Sequence, residues 1–160
     1  MNRNLNRRIH PIAEADGLSP KNLSKNFSYR EFEESTTATE KGICNTITSF
    51  EVRDSIKALV LNVLQPLRDA WGKPLKINSG YRCTELNKVV GGVSNSQHTK
   101  GEAADVASDN PYELAKMAKE LNLPFDQMIL YPTFVHFSHK LKGPQRGYIG
   151  YNKSYKGKKI

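Results

Sequence analysis

Apolar residues recur at three- and four-residue intervals between Glu51 and Trp71: Val52, Ile56, Leu59, Val60, Val63, Leu64 and Leu67 build one helical face. Pro66 interrupts that face. It lacks an N–H and its ring crowds the carbonyl four residues back, so a kink or break is expected near Gln65. Gly72-Lys73-Pro74 ends the element, Leu75 to Asn78 alternates as a strand, and Ser79-Gly80-Tyr81-Arg82 turns out of it. Ala103-Ala104-Asp105-Val106 predicts a buried strand. Gln127 to Leu130 and Phe134 to Ser138 predict two more, joined tightly through Tyr131-Pro132-Thr133, and Tyr148 to Tyr151 adds another. Shorter helices are predicted over 29–34, behind the capping box formed by Ser28 and Glu31, over 84–90, and over 111–121. The last of these has Asp109 or Asn110 as its cap and Pro111 at the first helical position. Ser35 to Thr39 and Val93 to Lys100 read as loops.

Strands with helices interspersed, and hairpin-like pairing in the later part, predict an α+β fold with a mostly antiparallel sheet. The 160 residues fit one domain, taken as 27–160 behind an extended arm of residues 1–26 that lacks periodicity. No apolar run approaches a membrane span. The basic start, Met1 to Arg8, has no apolar stretch behind it, so no secretory signal is expected. Cys44 and Cys83 lack the CxxC spacing of a structural zinc site and are expected as two reduced thiols. A monomer is expected.

The net charge of +8 is unevenly placed. From Lys140 onward the bases are Lys140, Lys142, Arg146, Lys153, Lys156, Lys158 and Lys159, with no acid among them. Such an end suits an anionic polymer, whether nucleic acid, anionic lipid or cell-wall glycopolymer; the plain alternative is a solvated tail. Tyr148, Tyr151 and Tyr155 interleave with the bases. They are read as rings packing onto the body rather than as a stacking platform for nucleic acid.

Zinc in a hydrolase takes three protein ligands from His and Asp/Glu and keeps a fourth position open. His98, Asp105 and His136 supply such a set. His98 and Asp105 are seven residues apart and cannot share a face of one regular strand. They meet if His98 lies on a loop and the chain turns at Gly101 before the strand. His136 alternates with Val135 and Phe137, so it can face a site while they face the core. The bland alternative is a core histidine bonded to a buried aspartate. Arg82, after a strand end, has the fork geometry to grip a carboxylate, or is an ordinary surface arginine.

Three ordered motifs, Ser79-Gly80-Tyr81-Arg82, Ser96-x-His98-x-x-Gly101-x-Ala103-x-Asp105 and Val135-His136-x-Ser138, resemble the zinc D-Ala-D-Ala carboxypeptidase and L-alanyl-D-glutamate endopeptidase family, whose fold is shared with the hedgehog signalling domain. The similarity runs from about Phe27 to Ser138 and looks closest to the phage and prophage branch. It implies His98, Asp105 and His136 as zinc ligands, Arg82 as the arginine that holds or polarises substrate, and Ser96 as a supporting residue. It further implies peptidoglycan as partner and action at the cell wall after phage-type release.

One departure stands out. The family carries an acidic general base shortly before its last histidine ligand, whereas Leu130 to Val135 contains no carboxylate. Asp126 and His139 are the nearest ionisable candidates for that role, and Tyr131 is placed to donate a hydrogen bond to a developing oxyanion. Three functions follow from these residues: a zinc peptidase acting on stem peptides, a zinc-containing wall-binding module without turnover, or a nucleic-acid-binding protein. The last explains none of the three motifs, so no nucleic-acid partner is expected.

Overall fold

The structure, a computed structural model, describes residues 23–160. The expected arm therefore lies outside the described residues up to position 22, while Leu23 and Phe27 are already buried in the core.

Helix α1, Tyr29–Glu33, starts at the expected capping box: the Ser28 hydroxyl accepts the Glu31 N–H at 3.3 Å, and the Glu31 carboxylate accepts the Ser28 N–H at 2.9 Å. The loop expected over 35–39 is instead a helix, α2, Thr36–Lys41. Its β-branched threonines are poor helix formers. The Ser35 hydroxyl nonetheless accepts the Ala38 N–H at 3.1 Å, Ala38 is buried, and Gly42 closes the end at φ 70°.

Helix α3, Phe50–Leu59, passes through a widened π-helical stretch, Val60–Leu64, into α4, Gln65–Trp71. The Gln65 N–H reaches back five residues to the Val60 carbonyl. This wider turn lies where Pro66 was expected to break the helix, and it absorbs the missing donor without ending the apolar face. Helices α5, Thr84–Val89, and α6, Pro111–Glu120, follow. The Asn110 side chain caps α6 by accepting the Glu113 N–H at 3.3 Å. Cys44 and Cys83 are both free thiols.

Five strands form one sheet: β1, Ile77–Ser79; β2, Ala103–Ala107; β3, Gln127–Leu130; β4, Phe134–Ser138; and β5, Tyr148–Tyr151, in the order β1-β2-β4-β3-β5. The β1–β2, β2–β4 and β3–β4 pairings are antiparallel, but β5 runs parallel to β3. The sheet is thus mixed. The chain between β4 and β5 crosses back to the Asp126 end of β3 instead of making a hairpin, with the Gly147 N–H on the Phe125 carbonyl and the Tyr148 N–H on the Asp126 carbonyl.

Alternation then sorts the two faces of the sheet. Ala104, Val106, Val135 and Phe137 are fully buried in the core with Leu114, Ala115 and Ala118 of α6 and with the α3–α4 face. Asp105 and His136, offset by one from those residues, point away from this core.

Candidate metal centre

Asp105 and His136 are direct cross-strand partners in the β2–β4 ladder, which brings their Cβ atoms to about 5 Å of each other. The third group comes from a 3₁₀ turn, Gln97–Lys100, that leads into β2. Ser96 caps that turn, its hydroxyl accepting the His98 N–H at 3.1 Å. Gly101 ends it at φ 76°, a left-handed conformation that suits glycine. The chain reverses there, as the seven-residue spacing required, and His98 and Asp105 meet.

His98 Nδ1–H donates to the Gly80 carbonyl at 2.7 Å, and its Nε2 stands 3.4 Å from Asp105 Oδ1. Gly80 also lets the end of β1 lie against α1, since a Cβ there would stand 2.8 Å from Phe32 Cα. His136 Nδ1 stands 2.9 Å from the same Asp105 oxygen, and the rings of His98 and His136 meet edge-on at 5.2 Å. The candidate ligating atoms of the three residues all lie within 4.8 Å of one another. Ligand atoms around a tetrahedral zinc, each at about 2.0–2.1 Å, stand roughly 3.3 Å apart. The spacing therefore fits such an ion with little movement. The Gly80 carbonyl would serve as the outer hydrogen-bond partner that orients the His98 imidazole towards an ion.

Burial alone would raise the Asp105 carboxyl. The hydrogen bonds from His136 and His98, with their charge, outweigh it and hold the group well below the usual carboxylate range. It is therefore an anion throughout the neutral range, as a ligand must be.

Arg82 lies beside this group. Its guanidinium is 3.9 Å from Asp105 Oδ2 and is held by the Ser79 hydroxyl at 3.3 Å and the Asn87 side-chain carbonyl at 3.0 Å. Tyr131, stacked on Phe134 at 4.1 Å, is electrostatically coupled to both Asp105 and Arg82. Burial and then the Asp105 charge push its phenol up, so it remains a hydrogen-bond donor.

The structure does not bring Asp126 or His139 into the triad. Asp126 has a fully buried side chain clamped by the Arg146 guanidinium at 2.6 Å and by the Arg146 N–H at 2.8 Å, with Gln97 adding a contact at 3.2 Å. The hydrogen bonds from Arg146, against the opposing effect of burial, bring its carboxyl down to about 2. So weak a base, already committed to a cation, is poorly matched to proton abstraction. Its evident role is to tie the chain before β5 to the start of β3. A carboxyl lowered on folding contributes stability above its unfolded value, near 4, that is lost as pH falls through about 2. Asp126→Asn is expected to drop the thermal midpoint by several degrees at pH 7 and to flatten the acid-unfolding limb between about pH 4 and about pH 2. Thermal melts across pH check both. His139 follows β4, in phase with core-facing Val135 and Phe137. It is 8 % exposed, its Nδ1 has no hydrogen-bond partner among the described residues, and burial pushes its imidazole down.

Two polar residues that periodicity does not reveal hold the Arg82 side of the site. Buried Asn45 donates to the Glu33 and Tyr81 carbonyls at 3.0 and 2.9 Å and accepts the Cys83 N–H at 2.7 Å. Asn87 links Arg82 to the Val93 carbonyl. The partners of Asn45 are 12 to 38 residues away in sequence, and those of Asn87 lie on the turns to either side of α5.

A family sequence profile described as Peptidase M15 matches residues 25–139. A stretch of 46 residues is 48 % identical to a zinc D-Ala-D-Ala carboxypeptidase of Streptomyces albus G, covering 28 % of this chain and 18 % of that relative. The match thus spans less than a fifth of the relative's own length.

Proposed function

The chain belongs to the peptidase M15 family, and from that premise we propose that it is a zinc metallopeptidase hydrolysing peptide bonds in the stem peptides of bacterial peptidoglycan. The observation that carries this reading is the convergence of His98, Asp105 and His136 on one point, with Arg82 and Tyr131 alongside. The name of the similar Streptomyces protein supports both the metal and the D-Ala-D-Ala type of substrate. The setting we favour is lysis or remodelling of the wall, of the phage kind.

His98 Nε2, Asp105 and His136 Nδ1 would hold the ion. What zinc supplies when bound is Lewis acidity, activating water for attack and polarising the scissile carbonyl. The rest falls to the protein. Arg82, pre-positioned by Ser79 and Asn87, binds a carboxylate or carbonyl of the stem peptide. The Tyr131 hydroxyl donates to the oxygen on which negative charge develops. Ser96 acts through the turn that carries His98, by accepting the His98 N–H.

A second reading has its own observation. Among the described residues Asp105 is the carboxylate of the ligand group, and Asp126 is withheld by Arg146. A domain that retains zinc but lacks turnover would look the same. Losing a general base costs about 10² to 10⁴ in rate, so slow hydrolysis remains compatible with the first reading. A pentapeptide ending in D-Ala-D-Ala and purified sacculi decide between them. Products followed by mass spectrometry should appear with zinc, vanish on chelation and return on its re-addition, and their masses identify the bond. A protein that retains zinc yet yields no product from either substrate is the binding module.

A further inference from the structure

The segment after β5, residues 152–160, is ordered rather than a solvated tail. The Tyr155 hydroxyl donates to the Lys158 carbonyl at 2.5 Å, and the Tyr151 hydroxyl accepts the Ile160 N–H at 2.9 Å. Asn152 Oδ1 accepts the Ser154 N–H at 2.9 Å. Exposed Lys153, Lys156, Lys158 and Lys159 are thereby carried on a fixed loop. No acidic residue occurs between Gln127 and Ile160, and Arg146, the arginine of that stretch, is spent on Asp126.

Around the loop the rings of Tyr112 and Tyr151 each carry a lysine, while Tyr148, at the start of β5 and outside the loop, is 52 % exposed. The ammonium groups of Lys116 and Lys158 lie 5.9 and 5.5 Å from the Tyr112 ring centre. Lys159 sits 5.2 Å over Tyr151, whose ring stacks on Tyr155 at 5.7 Å. Single-stranded nucleic acids need open aromatic faces on which bases stack; here the rings order the lysines instead. Residues 152–160 also expose no large apolar side chain that would enter a lipid layer. What remains is a strip of compact ammonium charges, suited to phosphate.

The strip borders a groove of about 540 Å³ lined by Tyr112, Pro132, Tyr155, Lys156 and Lys158. Asp109 and Glu113 line the α6 side of the groove, so the positive side is the loop. The loop starts on the sheet that carries the metal centre: the Asn152 N–H donates to the Leu130 carbonyl at 2.9 Å, and Leu130 pairs with Val135, the neighbour of His136 on β4.

We propose that this lysine strip docks a non-aromatic phosphodiester polyanion, a glycopolymer of the bacterial cell wall, and so holds the wall beside the metal centre. The wall as source rests on the proposed function; the polymer chemistry rests on the covered rings and the lysine-only charge. The test compares binding of the full chain to sacculi that carry their anionic polymer and to sacculi chemically stripped of it. Stripping is expected to weaken binding at least about tenfold, as is raising salt from about 50 to about 200 mM. The combined variant Lys153→Gln, Lys156→Gln, Lys158→Gln, Lys159→Gln should lose binding to a similar degree, while cleavage of a soluble stem peptide stays within about twofold. Competition by soluble poly(glycerol phosphate) against wild-type protein gives the same answer whether or not the variant folds. Equal binding to native and stripped sacculi would overturn the proposal. So would displacement from sacculi by poly(dA) or by anionic phospholipid vesicles at lower phosphate concentration than by poly(glycerol phosphate). Wild-type protein that docks as described yet cleaves no stem peptide supports the docking strip and overturns only the catalytic reading.

Discussion

His136→Ala is expected to abolish tight zinc binding and to take hydrolysis to background. Losing even an outer hydrogen-bond partner of a metal ligand costs about 10- to 100-fold in affinity or activity, and His136 is one of three residues that would touch the ion itself. The substitution empties little of the core. The His136 side chain is 13 % exposed on the face away from Val135 and Phe137, which are fully buried. The metal-free variant should therefore melt within a few degrees of metal-free wild type. Zinc at about a thousand times its dissociation constant stabilises a folded protein by about 4 kcal/mol, or on the order of 10 °C in a chain of this size. Wild type should show that shift and His136→Ala should not. A variant that keeps both the shift and the activity would remove His136 from the ligand set.

How much of this was legible depended on how local each cause was. The bounds expected for β3, β4 and β5 are those observed, because Val135, His136 and Phe137 alternate cleanly and turn residues flank the runs. The convergence of His98, Asp105 and His136 was legible in part: a glycine and a strand phase allow it, while the resemblance of the three motifs is what singled out these residues over a core histidine–aspartate pair. Helix α2 was hidden, since threonine propensity argues against it and the deciding contacts are the Ser35 cap and the burial of Ala38. The parallel pairing of β5 was equally hidden. Its direction follows from backbone bonds to Phe125 and Asp126 and from the Arg146 clamp, twenty residues from its partner, and no periodic pattern encodes these. Asp126 was a candidate from its place at a strand start, and its ion pair with Arg146 could not be read from local sequence.

Gly101→Ala is expected to damage both stability and the metal centre, through a contact made by no functional side chain. The residue sits at φ 76°, and an added Cβ would lie 2.6 Å from the Val52 carbonyl oxygen and 2.9 Å from Val52 Cγ1. A left-handed alanine costs roughly 1–2 kcal/mol, and forcing a methyl into a packed contact adds about 1–3 kcal/mol. The sum is a fall in thermal midpoint on the order of 10 °C. The obstacle is helix backbone, so the turn carrying His98 is what must move. Zinc sites tolerate only about 0.2 Å of ligand displacement, and affinity measured well below the melting range should drop more than about tenfold. Gly91 is the internal control. It has nearly the same backbone angle, φ 77°, but a Cβ there meets nothing within 4 Å, so Gly91→Ala carries the conformational cost without the collision. The difference between the two variants isolates the approach of α3 to the ligand turn. If the two variants match in midpoint and in zinc affinity, the position of His98 is set by its bond to the Gly80 carbonyl and by the Ser96 cap, and the helix contact is incidental.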